Sequence, residues 1–115
     1  MKTFYSNFSN TLSGTFRVPG DKSISHRSIM LGSLAKGTTT VTGFLEAEDA
    51  LSTLKAFQSM GVKIEQPSAG QVKIHGVGLR GLKQAENDIY LGNSGTSMRL
   101  LAGLLAGQSF DTVLT

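Results

Sequence analysis

The chain starts one local pattern twice: a strand, a glycine turn and a helix. The first copy reads as a strand from Thr11 to Val18, a turn at Pro19-Gly20 and a helix from Ser23 to Lys36. The second reads as a short strand from Ile89 to Leu91, a turn at Gly92-Asn93-Ser94-Gly95 and a helix from Ser94 to Ala106. Between them lie a β-branched strand (Thr38 to Thr42), a helix (Ala47 to Met60) and two alternating segments, Val62 to Glu65 and Gln71 to His75. Pro67-Ser68-Ala69-Gly70 separates those two segments, so they form a hairpin. Apolar residues recur every three or four positions in the helices and alternate in the strands. The order is strand, helix, strand, helix, strand, strand, and it then restarts, with a last strand from Phe110 to Leu114. Repeated units bury their faces against neighbours. The second unit is cut short at Thr115, so the chain is expected to be the N-terminal piece of a longer protein.

The first helix places Ile24, Leu31 and Ala35 on one stripe, with Met30 and Leu34 beside it. Asp21 or Ser23 can cap its start, and Gly37 sits where a C-terminal cap belongs. In the second helix Ala47, Ala50, Leu51, Leu54 and Phe57 recur at helical spacing. Glu46, Glu48 and Asp49 crowd its first turn, where the helix dipole favours anions and accounts for them. The third helix carries Met98, Leu101, Ala102 and Leu105 on one face and Leu100 and Leu104 on another, so it is expected to be buried. Met30, Met60 and Met98 read as core.

Composition removes several function classes. There is no cysteine, hence no disulfide framework and no cysteine zinc site. Two distant histidines, His26 and His75, are too few for a metal cluster. His26 reads as a packed or hydrogen-bonded histidine, and His75 as one that faces solvent or caps a turn. No apolar run reaches the roughly 18 residues of a membrane span. The first residues lack the apolar core of a signal peptide, so a cytoplasmic location is expected. The net charge of +3 is spread along the chain, and aromatic residues do not interleave with basic ones. No nucleic-acid platform is therefore expected.

Chemistry can gather at the two glycine turns. Pro19 to Arg27 (PGDKSISHR) opens a helix, whose first turn exposes amide donors and about half a positive charge. Lys22 adds a point charge, Ser23 and Ser25 add hydroxyls, and Arg27 follows Ser23 by one helical turn. An arginine fork grips a carboxylate or phosphate with paired hydrogen bonds. A capped helix start with solvated basic residues fits the same spacing. Leu91 to Arg99 (LGNSGTSMR) has two glycines that allow close approach of a ligand, with Asn93 and Ser94 able to cap or to bind. It is neither a Walker A loop nor a dinucleotide fingerprint. A tight capped turn fits it as well. Two such loops in successive units could face one cleft and suit a ligand with more than one anionic group.

PGDKSISHR and LGNSGTSMR closely resemble the two N-terminal signatures of the 5-enolpyruvylshikimate-3-phosphate synthase family, and the resemblance extends over all 115 residues. It implies an α/β fold of two lobes, each made of three β-α-β-α-β-β units, with only the first unit and part of the second present here. It also implies that residues 1–18 belong to the other lobe and residues 19–115 to an incomplete N-terminal-side lobe. The implied reaction transfers the enolpyruvyl group of phosphoenolpyruvate to the 5-hydroxyl of shikimate 3-phosphate and releases phosphate, on the way to chorismate. Glyphosate competes for the phosphoenolpyruvate site in the family. Lys22 matches the lysine that touches both substrates, and Ser23 and Arg27 match residues that hold shikimate 3-phosphate. Gly95 matches the glycine whose backbone lies against phosphoenolpyruvate, and Asn93 neighbours that site. Ser94 and Ser97 leave the glyphosate response open. The general acid and base are expected beyond Thr115, with no metal or organic cofactor. The partners implied are the two substrates and the remainder of a longer chain.

Two other readings stand beside this one. UDP-N-acetylglucosamine enolpyruvyl transferase has the same fold, but it carries Lys-Asn where this chain has Lys22-Ser23, and it commonly uses a loop cysteine. An isolated piece of such a site could also be a non-catalytic anion-binding module. The fragment alone is expected to be inactive.

Overall fold

Residues 1–115 are all described by a computed structural model. It contains α1 (Lys22–Leu34), β1 (Lys36–Thr42), α2 (Glu48–Ser59), β2 (Lys63–Ser68), β3 (Gln71–Val77) and α3 (Gly95–Leu105). β2 and β3 form the expected hairpin, and β3 lies in the middle of an antiparallel sheet in the order β1-β3-β2. Ile74 pairs with Thr39 on one side and Ile64 on the other. Val72, Ile74 and Ile64 turn one sheet face inward, while their polar neighbours face out. This alternation is what a sheet covered on one side requires.

α1 and α2 cover that inner face and pack on each other. The core runs from Ile29 and Met30 through Leu54, Phe57 and Met60 to Ile64, Val72 and Ile74, and on to Leu91 and Leu101. The second unit is visible as a parallel pairing of Ile89 with Leu114. Amide N–H groups of Ile89, Leu91 and Thr115 donate to Val113, Thr115 and Ile89 across it, at 2.8–3.0 Å. α3 is the crossover that parallel pairing demands. The strand expected from Phe110 to Leu114 is thus reduced to its last residues.

Three further expectations are corrected. Thr11 to Val18 forms no strand, and Leu12, Phe16 and Val18 are exposed. A strand needs a ladder partner, and nothing in this chain pairs with that segment. α1 ends at Leu34 and is capped at Ala35, so Gly37 lies inside β1 instead of closing the helix. The inward face of α1 is Ser25, His26, Ile29, Met30, Gly32 and Ser33, whereas Ile24 and Leu31 are about two-thirds exposed at 66% and 68%. Small and polar side chains let α1 approach its neighbours closely, and that outweighs the hydrophobicity of the other stripe. α3 is likewise buried on one face only, through Ser97, Leu101 and Leu105, while Met98 and Leu100 are exposed. Met30 and Met60 are core, as expected.

Candidate functional site

The first loop is held by short hydrogen bonds. Asp21 caps α1, its Oδ1 accepting from the Ile24 amide at 2.8 Å. Ser25 Oγ donates to the Asp21 carbonyl at 2.7 Å and accepts from the Leu45 amide at 2.9 Å. The start of α1 is thereby tied to the loop that leads into α2. Gly20 sits flat against the same loop. A Cβ there would lie 2.1 Å from the Gly43 carbonyl oxygen and 3.0 Å from the Leu45 amide nitrogen. Only glycine permits that approach.

The second loop is organised by Ser94. It caps α3, with its Oγ accepting from the Ser97 amide at 3.2 Å. Gly95 is the first residue of α3, without a positive φ, and is exposed. A Cβ there would meet only Arg99 Nη1, at an ordinary 3.6 Å. Nothing within the chain therefore requires glycine at this position. Arg99 and Arg27 are exposed, and neither makes an ion pair. Ser23 is half-buried, and Asn93 is exposed.

The two loops meet through the start of α2. Lys22 forms an ion pair with Asp49, the second residue of that helix. Hydrogen bonding to Lys22 is the main reason the Asp49 carboxyl is held below its ordinary pKa. Asn93 and Gly92 line a cavity of about 220 Å³ together with Glu48, Asp49 and Ser52. Asp49 thus touches Lys22 on one side and shares a cleft with the second loop on the other. Glu48 and Asp49 stand in the first turn of α2, as the dipole account expects, while Glu46 lies before the helix. Only Asp49 binds a cation, while Glu46 Oε1 accepts from the Gly70 amide at 2.8 Å and Glu48 is exposed. The available signal was three acids within four residues, which a helix start explains equally well.

A buried chain of polar side chains lies beneath this surface. His26 Nδ1 is 2.8 Å from Thr53 Oγ1, Thr53 Oγ1 is 2.7 Å from Ser97 Oγ, and Ser97 Oγ is 2.7 Å from Ser94 Oγ. His26 is fully buried, and desolvation lowers its pKa, against the pull of Asp49. It is the hydrogen-bonded histidine that was expected. His75 is half-buried beside Thr38 and Glu65 on the sheet. No three His, Asp, Glu or Cys side chains converge in a way that could hold a metal ion. No helix is long and apolar enough to cross a membrane.

The arrangement is an exposed, cation-bearing surface at neighbouring helix starts. Its first-turn amides and free guanidinium groups suit anionic oxygen. Comparison with known proteins agrees with the motif reading. The sequence family described as EPSP synthase (3-phosphoshikimate 1-carboxyvinyltransferase) matches residues 7–115. A 3-phosphoshikimate 1-carboxyvinyltransferase of Methylococcus capsulatus is 67% identical over 104 residues, covering 90% of this chain and 24% of the relative. One from Legionella pneumophila strain Lens is 62% identical over all 115 residues, 27% of its own length. The solved EPSP synthase of Acinetobacter baumannii is 66% identical and superposes with a TM-score of 0.84, over 89% of this chain and 23% of that one. The chain thus spans about a quarter of the length of the relatives it matches.

Proposed function

The chain belongs to the EPSP synthase (3-phosphoshikimate 1-carboxyvinyltransferase) family, and from that premise we propose that it supplies part of the cleft where phosphoenolpyruvate and shikimate 3-phosphate react. The observation that carries this reading is the meeting of both signature loops at Asp49, with Lys22 paired to it. In this reading Lys22 serves both substrates. Ser23 and Arg27 hold the phosphate of shikimate 3-phosphate, and the exposed, unpaired Arg27 guanidinium supports that role. Gly95 lies against phosphoenolpyruvate, and Asn93 borders it.

The reaction is addition followed by elimination. A proton adds to the methylene carbon of phosphoenolpyruvate, and the 5-hydroxyl oxygen bonds to the adjacent carbon as its own proton leaves. Loss of a methyl proton and of phosphate from the tetrahedral intermediate then restores the double bond. Lys22 offsets negative charge on oxygen through these steps, an electrostatic contribution typical of such donors. The groups that move the protons lie outside residues 1–115. We assign residues 1–18 to the other lobe, residues 19–115 to this one, and the reaction to the cytoplasm. The exposure of Phe4, Phe8, Leu12 and Phe16 supports the first assignment.

The test is phosphate release by the full-length enzyme. Release from phosphoenolpyruvate that depends on shikimate 3-phosphate is the expected result. Release that depends on UDP-N-acetylglucosamine instead would overturn the proposal.

A further inference from the structure

Four buried side chains under the site are linked by hydrogen bonds. Ser94, Ser97, Thr53 and His26 are each less than 5% exposed, at 4%, 0%, 0% and 0%. The imidazole has two faces. Nδ1 lies 2.8 Å from Thr53 Oγ1 and 3.3 Å from Ser97 Oγ. Nε2 is buried without a hydrogen bond and lies 3.8 Å from Asp49 Oδ2. A neutral imidazole carries its proton on one nitrogen only. A proton on Nδ1 would turn the Nε2 lone pair toward a carboxylate in a low-dielectric setting, which is repulsive. The proton therefore sits on Nε2, facing Asp49, and Nδ1 accepts. Thr53 Oγ1 also lies 3.3 Å from the Asp49 carbonyl oxygen, a longer contact than its 2.8 Å one to Nδ1. Each hydroxyl donates once, so with Nδ1 accepting, the shorter contact takes the Thr53 proton and the other hydroxyls follow in order. Thr53 donates to Nδ1, Ser97 to Thr53 and Ser94 to Ser97.

We propose that Ser94, Ser97, Thr53 and His26 form a one-way hydrogen-bond relay that turns the His26 Nε2 proton toward the Asp49 carboxylate, an electrostatic contact at 3.8 Å that ties Asp49, and through it the Lys22 ammonium, to the second loop. Burial keeps His26 neutral, as the relay requires. These are positioning residues. They set where the Lys22 charge stands relative to Gly95, so a ligand that orders one loop also orders the other. The effect on substrates rests on the function proposed for Lys22, whereas the tautomer does not.

Two hydroxyls converge on Nδ1, so both are removed, as Thr53→Val with Ser97→Ala in the full-length enzyme. The substitutions are made with Lys22 present and again alongside Lys22→Met. With Lys22 present, kcat/KM is expected to fall about fivefold, the effect of one hydrogen bond. In the Lys22→Met background the same pair should change it by less than about twofold, because the relay has lost its endpoint. Thr53→Ser with Ser97→Thr, which keep both hydroxyls, should restore the rate. If the double variant does not fold, each single variant is read in the same cycle. An equal loss in both backgrounds makes the residues merely structural and overturns the relay. Ring ¹⁵N shifts of His26 give a second reading. Protonated Nε2 supports the relay, and protonated Nδ1 overturns it. An enzyme with no turnover of this substrate pair refutes the proposed function instead, and the ring shifts alone then decide the relay.

Discussion

Replacing Gly95 with alanine separates a glycine kept for the fold from one kept for a ligand. Within the chain the new methyl meets only Arg99 Nη1 at 3.6 Å, and the backbone has no positive φ to strain. Gly95 opens α3, where alanine is preferred to glycine by up to about 1 kcal/mol. The free energy of unfolding should stay the same or rise by up to that amount. The ligand meets the opposite effect. A methyl forced into a filled site costs about 1–3 kcal/mol, or roughly 5- to 140-fold in affinity. KM for phosphoenolpyruvate and the glyphosate inhibition constant should both rise within that range. The measurements are denaturant unfolding, steady-state kinetics and inhibition on the same preparation. A loss of stability with unchanged KM and inhibition would refute the reasoning, since it would make Gly95 structural. Gly20→Ala is the contrasting control. Its Cβ would lie 2.1 Å from the Gly43 carbonyl oxygen, with backbone on both sides. It should destabilise the fold by at least about 1–3 kcal/mol.

Lys22→Ala in the full-length enzyme should lower kcat/KM by about 100-fold or more, the usual effect of losing one such charge; near-normal rates would contradict a role with both substrates. Residues 1–115 alone should show no phosphate release from phosphoenolpyruvate and shikimate 3-phosphate, as follows from the proposal that the proton-transferring groups lie elsewhere; measurable turnover would contradict that placement. The pKa of His26 is lowered from 6.5, so its folded form binds fewer protons than its unfolded form. The stability contributed by neutral His26 is present above pH 6.5 and is lost as pH falls below it toward the folded value. Unfolding followed from pH 7 to 5 should show that slope, and His26→Phe should flatten it; an unchanged slope in the variant would assign it to another group.

Much of this was legible in the sequence. The hairpin, the helix of Leu54 and Phe57, and the turn at Gly92-Asn93 follow from periodicity and turn chemistry and are present in the structure, although β2 runs on through Pro67 and Ser68 and Pro19-Gly20 follows no strand. Motif resemblance singled out Lys22, Ser23, Arg27, Asn93 and Gly95, and the structure sets their loops beside the start of α2. Asp49 was missed because its partner is 27 residues away, and a local rule already accounted for an acid at that place. The inward face of α1 was misjudged because it uses Ser25, His26 and Ser33, whose burial depends on partners such as Thr53 and Leu45. Hydrophobic periodicity cannot register a face satisfied by hydrogen bonds. The Thr11 to Val18 pattern does alternate, but alternation specifies only a face, and pairing needs a second strand.

The central claim is that both loops bind the anionic substrates in one cleft. The most direct test is an amide ¹H–¹⁵N spectrum of the chain titrated with shikimate 3-phosphate and then with phosphoenolpyruvate. The account predicts dispersed peaks, with shifts from Lys22 to Arg27 on the first addition and from Asn93 to Thr96 on the second. A dispersed spectrum that neither ligand moves would contradict it.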